Sequence, residues 1–115
     1  STAQIALKSA SSDKPFVLFD DMDLEILLAS LSTRSKEAFL AKTLSLLSEE
    51  EKELLRVYFE EGRSLLRTSE KLFLHKNTLQ YKLDRIHRIS GLNPRDFKDS
   101  VLLYLAVLLK YTIPE

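Results

Sequence analysis

Residues 75–86 read HKNTLQYKLDRI. Leu79, Leu83 and Ile86 fall at i, i+4 and i+7, the spacing of one apolar stripe on an α-helix. The other face carries Lys76, Asn77, Gln80, Tyr81 and Arg85. A solvated helix face is ordinarily rich in Glu and Lys, whereas Asn, Gln, Arg and Tyr can bond base edges or hold phosphates. The stretch therefore reads as a helix that buries its leucines and offers a recognition surface outward.

Just upstream, Ser64 offers an N-cap for a short helix that ends at Leu72. Phe73-Leu74-His75 is too short and too apolar for a surface loop, and it reads as a tight buried turn. Two helices over about 64–90, joined by three residues, have the spacing of a helix-turn-helix. In that motif the first helix lies across the phosphate backbone, and the second enters the major groove by its N-terminal turns. The close crossing needs a small residue, which Ser69 supplies, and apolar flanks, which Leu72, Leu74, Leu79 and Leu83 supply. The turn favours a residue tolerant of positive φ, often Gly, but Phe73 stands there. No strand-turn-strand pattern follows Gly91, so a non-winged form is expected.

The rest of the chain is helical in pattern. Leu24, Leu27, Leu28 and Leu31 make one stripe behind the Asp20–Asp21 pair, and Phe39, Leu40, Leu44 and Leu47 make another over 36–47. Ser48-Glu49-Glu50-Glu51 matches a capping box that opens a helix through Phe59, with Leu54, Leu55, Tyr58 and Phe59 inward. Gly91 suits a left-handed helix end, and Asn93-Pro94 offers a start for the last helix, near 98–110. That helix is apolar almost all round. It either completes the core or forms part of a subunit interface. Phe16–Phe19 reads as an extended segment packed on helices. The fold class expected is all-α, a compact bundle of about six helices.

Composition excludes more than it proves. The 115 residues contain no Cys, two Gly and three Pro, which removes disulfide and thiolate chemistry and argues against a turn-rich β protein. No signal peptide is visible, and the longest apolar run falls well short of the ~20 residues of a membrane span; a cytoplasmic protein is expected. Ser at position 1 suggests a chain cut from a longer one. The zero net charge hides a split: from Arg63 to Arg95 eight basic residues face only Glu70 and Asp84, so this stretch carries +6 and the remainder −6. Such asymmetry points to a local anionic partner, and the helix-turn-helix spacing makes double-stranded DNA the expected one.

The string TSEKLFLHKNTLQYKLDRIHRISGL (68–92) resembles the C-terminal helix-turn-helix domain of the purine-catabolism and sugar-diacid regulator family of bacterial transcription factors. Its pattern of a small residue, Leu-Phe, then His-x-Asn-Thr-Leu-x-Tyr-x-Leu is met by Ser69, Leu72, Phe73, His75, Asn77, Thr78, Leu79, Tyr81 and Leu83. Ser69 stands where the family more often has Ala, while Phe in the turn is expected there. FDDMDLEILLASL, LRVYFEEG and LLYLAVLL extend the resemblance over roughly 16–110. It implies a regulator whose N-terminal sensor region, and with it any small-molecule effector, lies outside this chain. Residues 1–14 would then be the remnant of that region and a linker, and 15–115 the DNA-binding domain.

Roles follow from position. Lys76, Asn77, Gln80 and Tyr81, on the first two turns of the recognition helix (about 76–90), are the expected base contacts. Asn77 has a competing role as helix N-cap. Ser64, Arg67, Lys71, Thr78, Lys82 and Arg85 are the expected phosphate contacts, which position without specifying. His75 bonds either phosphate or backbone; Arg88 and His87 are expected in solvent. A homodimer of the full-length protein is expected, because one recognition helix reads only a few base pairs. No metal-ligand spacing, Gly-rich phosphate loop or nucleophile elbow is present, so no cofactor, metal or catalytic residue is assigned and the chain is not read as an enzyme. The alternative is a helical protein-interaction or dimerisation module that uses the apolar last helix.

Overall fold

A computed structural model describes residues 23–112. The expectations for residues 1–14 and 16–19 lie outside them. Six helices and no strand are found among the described residues: α1 (23–29), α2 (Thr33–Thr43), α3 (Glu49–Glu60), α4 (Leu65–Leu72), α5 (Lys76–Ser90) and α6 (Phe97–Tyr111).

Each start has a local cause. Ser32 caps α2 by accepting from the Ser35 amide at 3.0 Å, so α2 begins earlier than the apolar stripe suggests. It also ends earlier, at Thr43, and Leu44 and Leu47 are buried from the turn that follows. The capping box of α3 is complete: Ser48 Oγ accepts from the Glu51 amide at 3.1 Å, and Glu51 Oε1 accepts from the Ser48 amide at 2.9 Å. Such reciprocal bonding satisfies two amides that a helix start leaves without partners.

The core joins α3, α5 and α6. Leu79, Leu83 and Ile86 are fully buried with Leu54, Leu55, Tyr58, Leu103 and Ala106. Each leucine or isoleucine side chain buried in this way contributes about 1.5–3 kcal/mol relative to exposure. Helix α6 packs against α2 and α3, so its apolar girth completes the core. A second, smaller cluster joins Leu28 of α1 to Leu109 of α6. Of the stripe expected on α1, only Leu28 is buried. Leu24 is half-buried, Leu27 is exposed, and Leu31, which lies beyond the helix end, is exposed too.

Two expectations need correction. The turn after α4 is not buried: Phe73 is 94% exposed. It adopts φ 55° and ψ 44°, and the turn is closed by backbone, with the Leu74 amide donating to Ser69 O at 2.9 Å. A left-handed residue at a helix end satisfies carbonyls without needing a buried side chain. Second, Asn93-Pro94 does not open the last helix. Asp96 caps it, accepting from the Asp99 amide at 3.1 Å, while Asp99 reaches back to accept from the Asn93 amide at 2.9 Å. Asn93 Oδ1 accepts from the Arg95 amide, so its side chain closes a turn instead.

Candidate nucleic-acid interface

Helices α4 and α5 cross where Ser69 is buried and its hydroxyl donates to Leu66 O at 2.8 Å. A larger side chain there would force the helices apart. The crossing fixes which face of α5 looks outward, because Leu79, Leu83 and Ile86 pin the other.

His75 caps α5: its Nδ1 accepts from the Asn77 amide at 3.0 Å. This resolves the competition at the helix start, since the Asn77 side chain is released from capping. Lys76, Asn77 and Thr78 are exposed and Gln80 is half-buried, and none of these side chains has a hydrogen bond or ion pair within the described residues. They stand at the end of a 15-residue helix, where unpaired amides create a partial positive charge. Tyr81 is 60% exposed, and the Arg88 guanidinium lies 5.8 Å from its ring centroid. Arg88 is thus in solvent as expected, but it also stacks on an aromatic face. His87 is exposed.

The cations expected on phosphates each lie near an acid of the domain. Arg67 donates to the Glu61 carbonyl at 2.8 Å, and its Nε lies 3.5 Å from the Glu61 carboxylate. Lys71 approaches the same carboxylate at 3.8 Å, and Lys82 approaches Glu50 at 3.8 Å. Arg85 is hydrogen-bonded to Glu51. All four therefore face an acid on α3 or at its end. Ser64 is the N-cap of α4, its Oγ accepting from the Arg67 amide at 3.1 Å. Asp84, on the outer side of α5, is paired with Arg95.

These acids are what sequence reasoning missed. The Glu49–Glu51 run signalled a helix start, and it does start α3. Its second use, against α5, had no local signal. Burial pushes the Glu51 carboxyl up, but bonds from the Ser48 amide and the Arg85 guanidinium outweigh it and hold the group below the ordinary glutamate range. Among the described residues no group of His, Cys, Asp or Glu is arranged to hold a metal, and no helix is long and apolar enough to cross a membrane.

A short helix, a left-handed turn and a second helix with unpaired polar side chains on its first turn define a helix-turn-helix domain. The model of the PucR C-terminal helix-turn-helix domain matches residues 52–109, and the chain belongs to that family of transcriptional-regulator domains. The chain is 40% identical over 102 residues to an uncharacterized protein of Haemophilus influenzae, covering 85% of this chain and 28% of that one. It is 32% identical over 113 residues to the carbohydrate diacid regulator of Escherichia coli, covering 94% and 29%. It is 28% identical over 103 residues to the proline-responsive transcriptional activator PutR of Bacillus subtilis, covering 90% and 22%. The chain thus spans less than a third of the length of these curated relatives. No solved structure matches it.

Proposed function

We propose that this chain is the sequence-specific DNA-binding output domain of a bacterial transcriptional regulator, with α5 lying in the major groove. The observation that carries this is the first two turns of α5. Lys76, Asn77, Thr78, Gln80 and Tyr81 face outward or to the flank at the positive end of a helix whose leucines are fully buried. Polar side chains left unpaired by their own fold are available for base edges. Asn77 and Gln80 each have the donor and acceptor that adenine N7 and N6 require, worth ~1–3 kcal/mol of discrimination per good pair. Lys76 and Tyr81 complete the base-reading set. Ser64, Arg67, Lys71, Thr78, Lys82 and Arg85 are assigned to phosphates, four of them in exchange with the acids that hold them. Effector sensing belongs to the remainder of the full-length regulator, which acts as a homodimer.

The experiment is selection of bound duplexes from a random pool, followed by titration at several salt concentrations. A recovered motif, with affinity falling steeply as salt rises, is the expected result. Paired half-sites about one helical turn apart would support the dimer. Replacing Asn77 and Gln80 with Ala is expected to flatten base preference, and Lys76→Ala to weaken the selected site. Absence of binding at low salt, or binding indifferent to salt, would overturn the proposal. The alternative of a partner-binding module built on α6 is disfavoured, because Leu103, Ala106 and Leu109 are buried within the domain.

A further inference from the structure

Phe73 is a residue the fold does not explain. Its backbone is left-handed, at φ 55°, a conformation that costs a side chain with a Cβ about 1–2 kcal/mol. Its ring gains nothing in return, being 94% exposed. Glycine would suit the turn better on both counts. Strain at an exposed residue is a reason to look for a ligand.

Position narrows the choice. Phe73 lies between the last residue of α4 and the start of α5 at Lys76. It forms one wall of a shallow hollow whose other residues, Glu61, Arg67, Glu70 and Lys71, are all charged. An apolar protein surface would find no second apolar side chain among the residues lining the hollow. A sugar–phosphate strand alternates apolar sugar faces with anions, and it matches an aromatic side chain flanked by cations. Arg67 and Lys71, the two cations of this rim, share the single Glu61 carboxylate and keep most of their side chains in solvent, within reach of a phosphate.

We infer that Phe73 packs on a deoxyribose of the DNA strand whose phosphates are taken by Arg67 and Lys71, a non-ionic contact that anchors the motif without reading sequence. This rests on the proposed function above. The contact has a signature that a cation lacks: removing it lowers affinity for every duplex and leaves the salt dependence unchanged, because no counterion is released by a ring.

The test uses the 115-residue chain, a fluorescein-labelled duplex selected from the random pool and a labelled duplex of scrambled sequence. Phe73→Gly and Phe73→Asn suit the left-handed turn, so both variants are expected to melt at or above the parent temperature. Both are expected to bind each duplex about tenfold more weakly, the effect of uncovering one aromatic ring, with an unaltered slope of log affinity against log salt. Phe73→Trp keeps the ring surface and is expected to retain affinity, whereas Lys71→Ala makes the slope shallower. Equal binding by Phe73→Gly and the parent would overturn the inference and favour a protein ligand for the ring. A slope changed as much as in Lys71→Ala would also overturn it. If the parent chain binds neither duplex, the proposed function fails and this contact with it.

Discussion

Arg85 of α5 and Glu51 of α3, 34 residues apart in the chain, are joined by a charge-assisted hydrogen bond. The Glu51 side chain is 8% exposed and that of Arg85 47%. Glu51 also completes the capping box, so a single carboxylate starts one helix and holds another. Glu51→Gln keeps an oxygen for the Ser48 amide but loses the charge opposite Arg85. Because Arg85 is half in solvent, the cost is discounted to about 1 kcal/mol, measured by urea unfolding.

The same pair sets a pH dependence. The folded state holds the Glu51 carboxyl below its ordinary value, so the unfolded chain takes up the proton first as pH falls. The stabilisation is complete above the ordinary glutamate range. It declines as pH drops through that range and is lost below the folded value. Glu49 and Glu53 are lowered in the same direction by Lys52 and Arg56 respectively, so Glu51→Gln flattens the acid limb of stability against pH without removing it.

Thr68 of α4 is fully buried, and its hydroxyl has no hydrogen-bond partner. An unpaired buried polar group costs about 1–3 kcal/mol. Val has nearly the same shape, so Thr68→Val is expected to stabilise the domain by about 1 kcal/mol in thermal or chemical unfolding. Unchanged or lower stability would mean that the hydroxyl is satisfied in solution.

Gly91 ends α5 at φ 78°, its amide donating to His87 O at 2.9 Å, and nothing lies within 4 Å of where a Cβ would be. Gly91→Ala therefore meets backbone strain alone and is expected to cost about 1 kcal/mol, with Gly91→Asn costing less. A loss above about 3 kcal/mol in melting experiments would contradict an open site.

Glu61 faces both Arg67 and Lys71. On the proposed function, its carboxylate competes with phosphate for these cations. Glu61→Gln is expected to tighten binding to a scrambled duplex at low salt several-fold and to steepen the salt slope by up to about one. The gain should be smaller for a selected site relative to its own affinity, so discrimination falls. Weaker binding in the variant would instead make Glu61 a support that holds the two cations in place.

What the sequence disclosed follows from the range over which each signal acts. Leu79, Leu83 and Ile86 were legible because periodicity reports a face, and burial of that face is complete. Ser48, Glu51 and Gly91 were legible as helix ends because capping chemistry is local. The pairing of Arg85 with Glu51 was not, because charge counting shows sign but not partner across 34 residues. Phe73 was misplaced because apolar character argues inward, while the left-handed backbone turned the ring out. At Asn93 two capping residues compete within four positions, and the reach of Asp99 to the Asn93 amide decided for Asp96.

The separation of the two apolar clusters bears on cooperativity. Leu28 and Leu109 form a seam apart from the main core, with Phe39 and Leu40 packed against both. Detaching α1 therefore opens the Leu28–Leu109 seam and leaves the main core around α5 in place. The first helix can melt as its own small unit while the remainder stays folded, and amide protons over 23–29 will exchange well before those of α5.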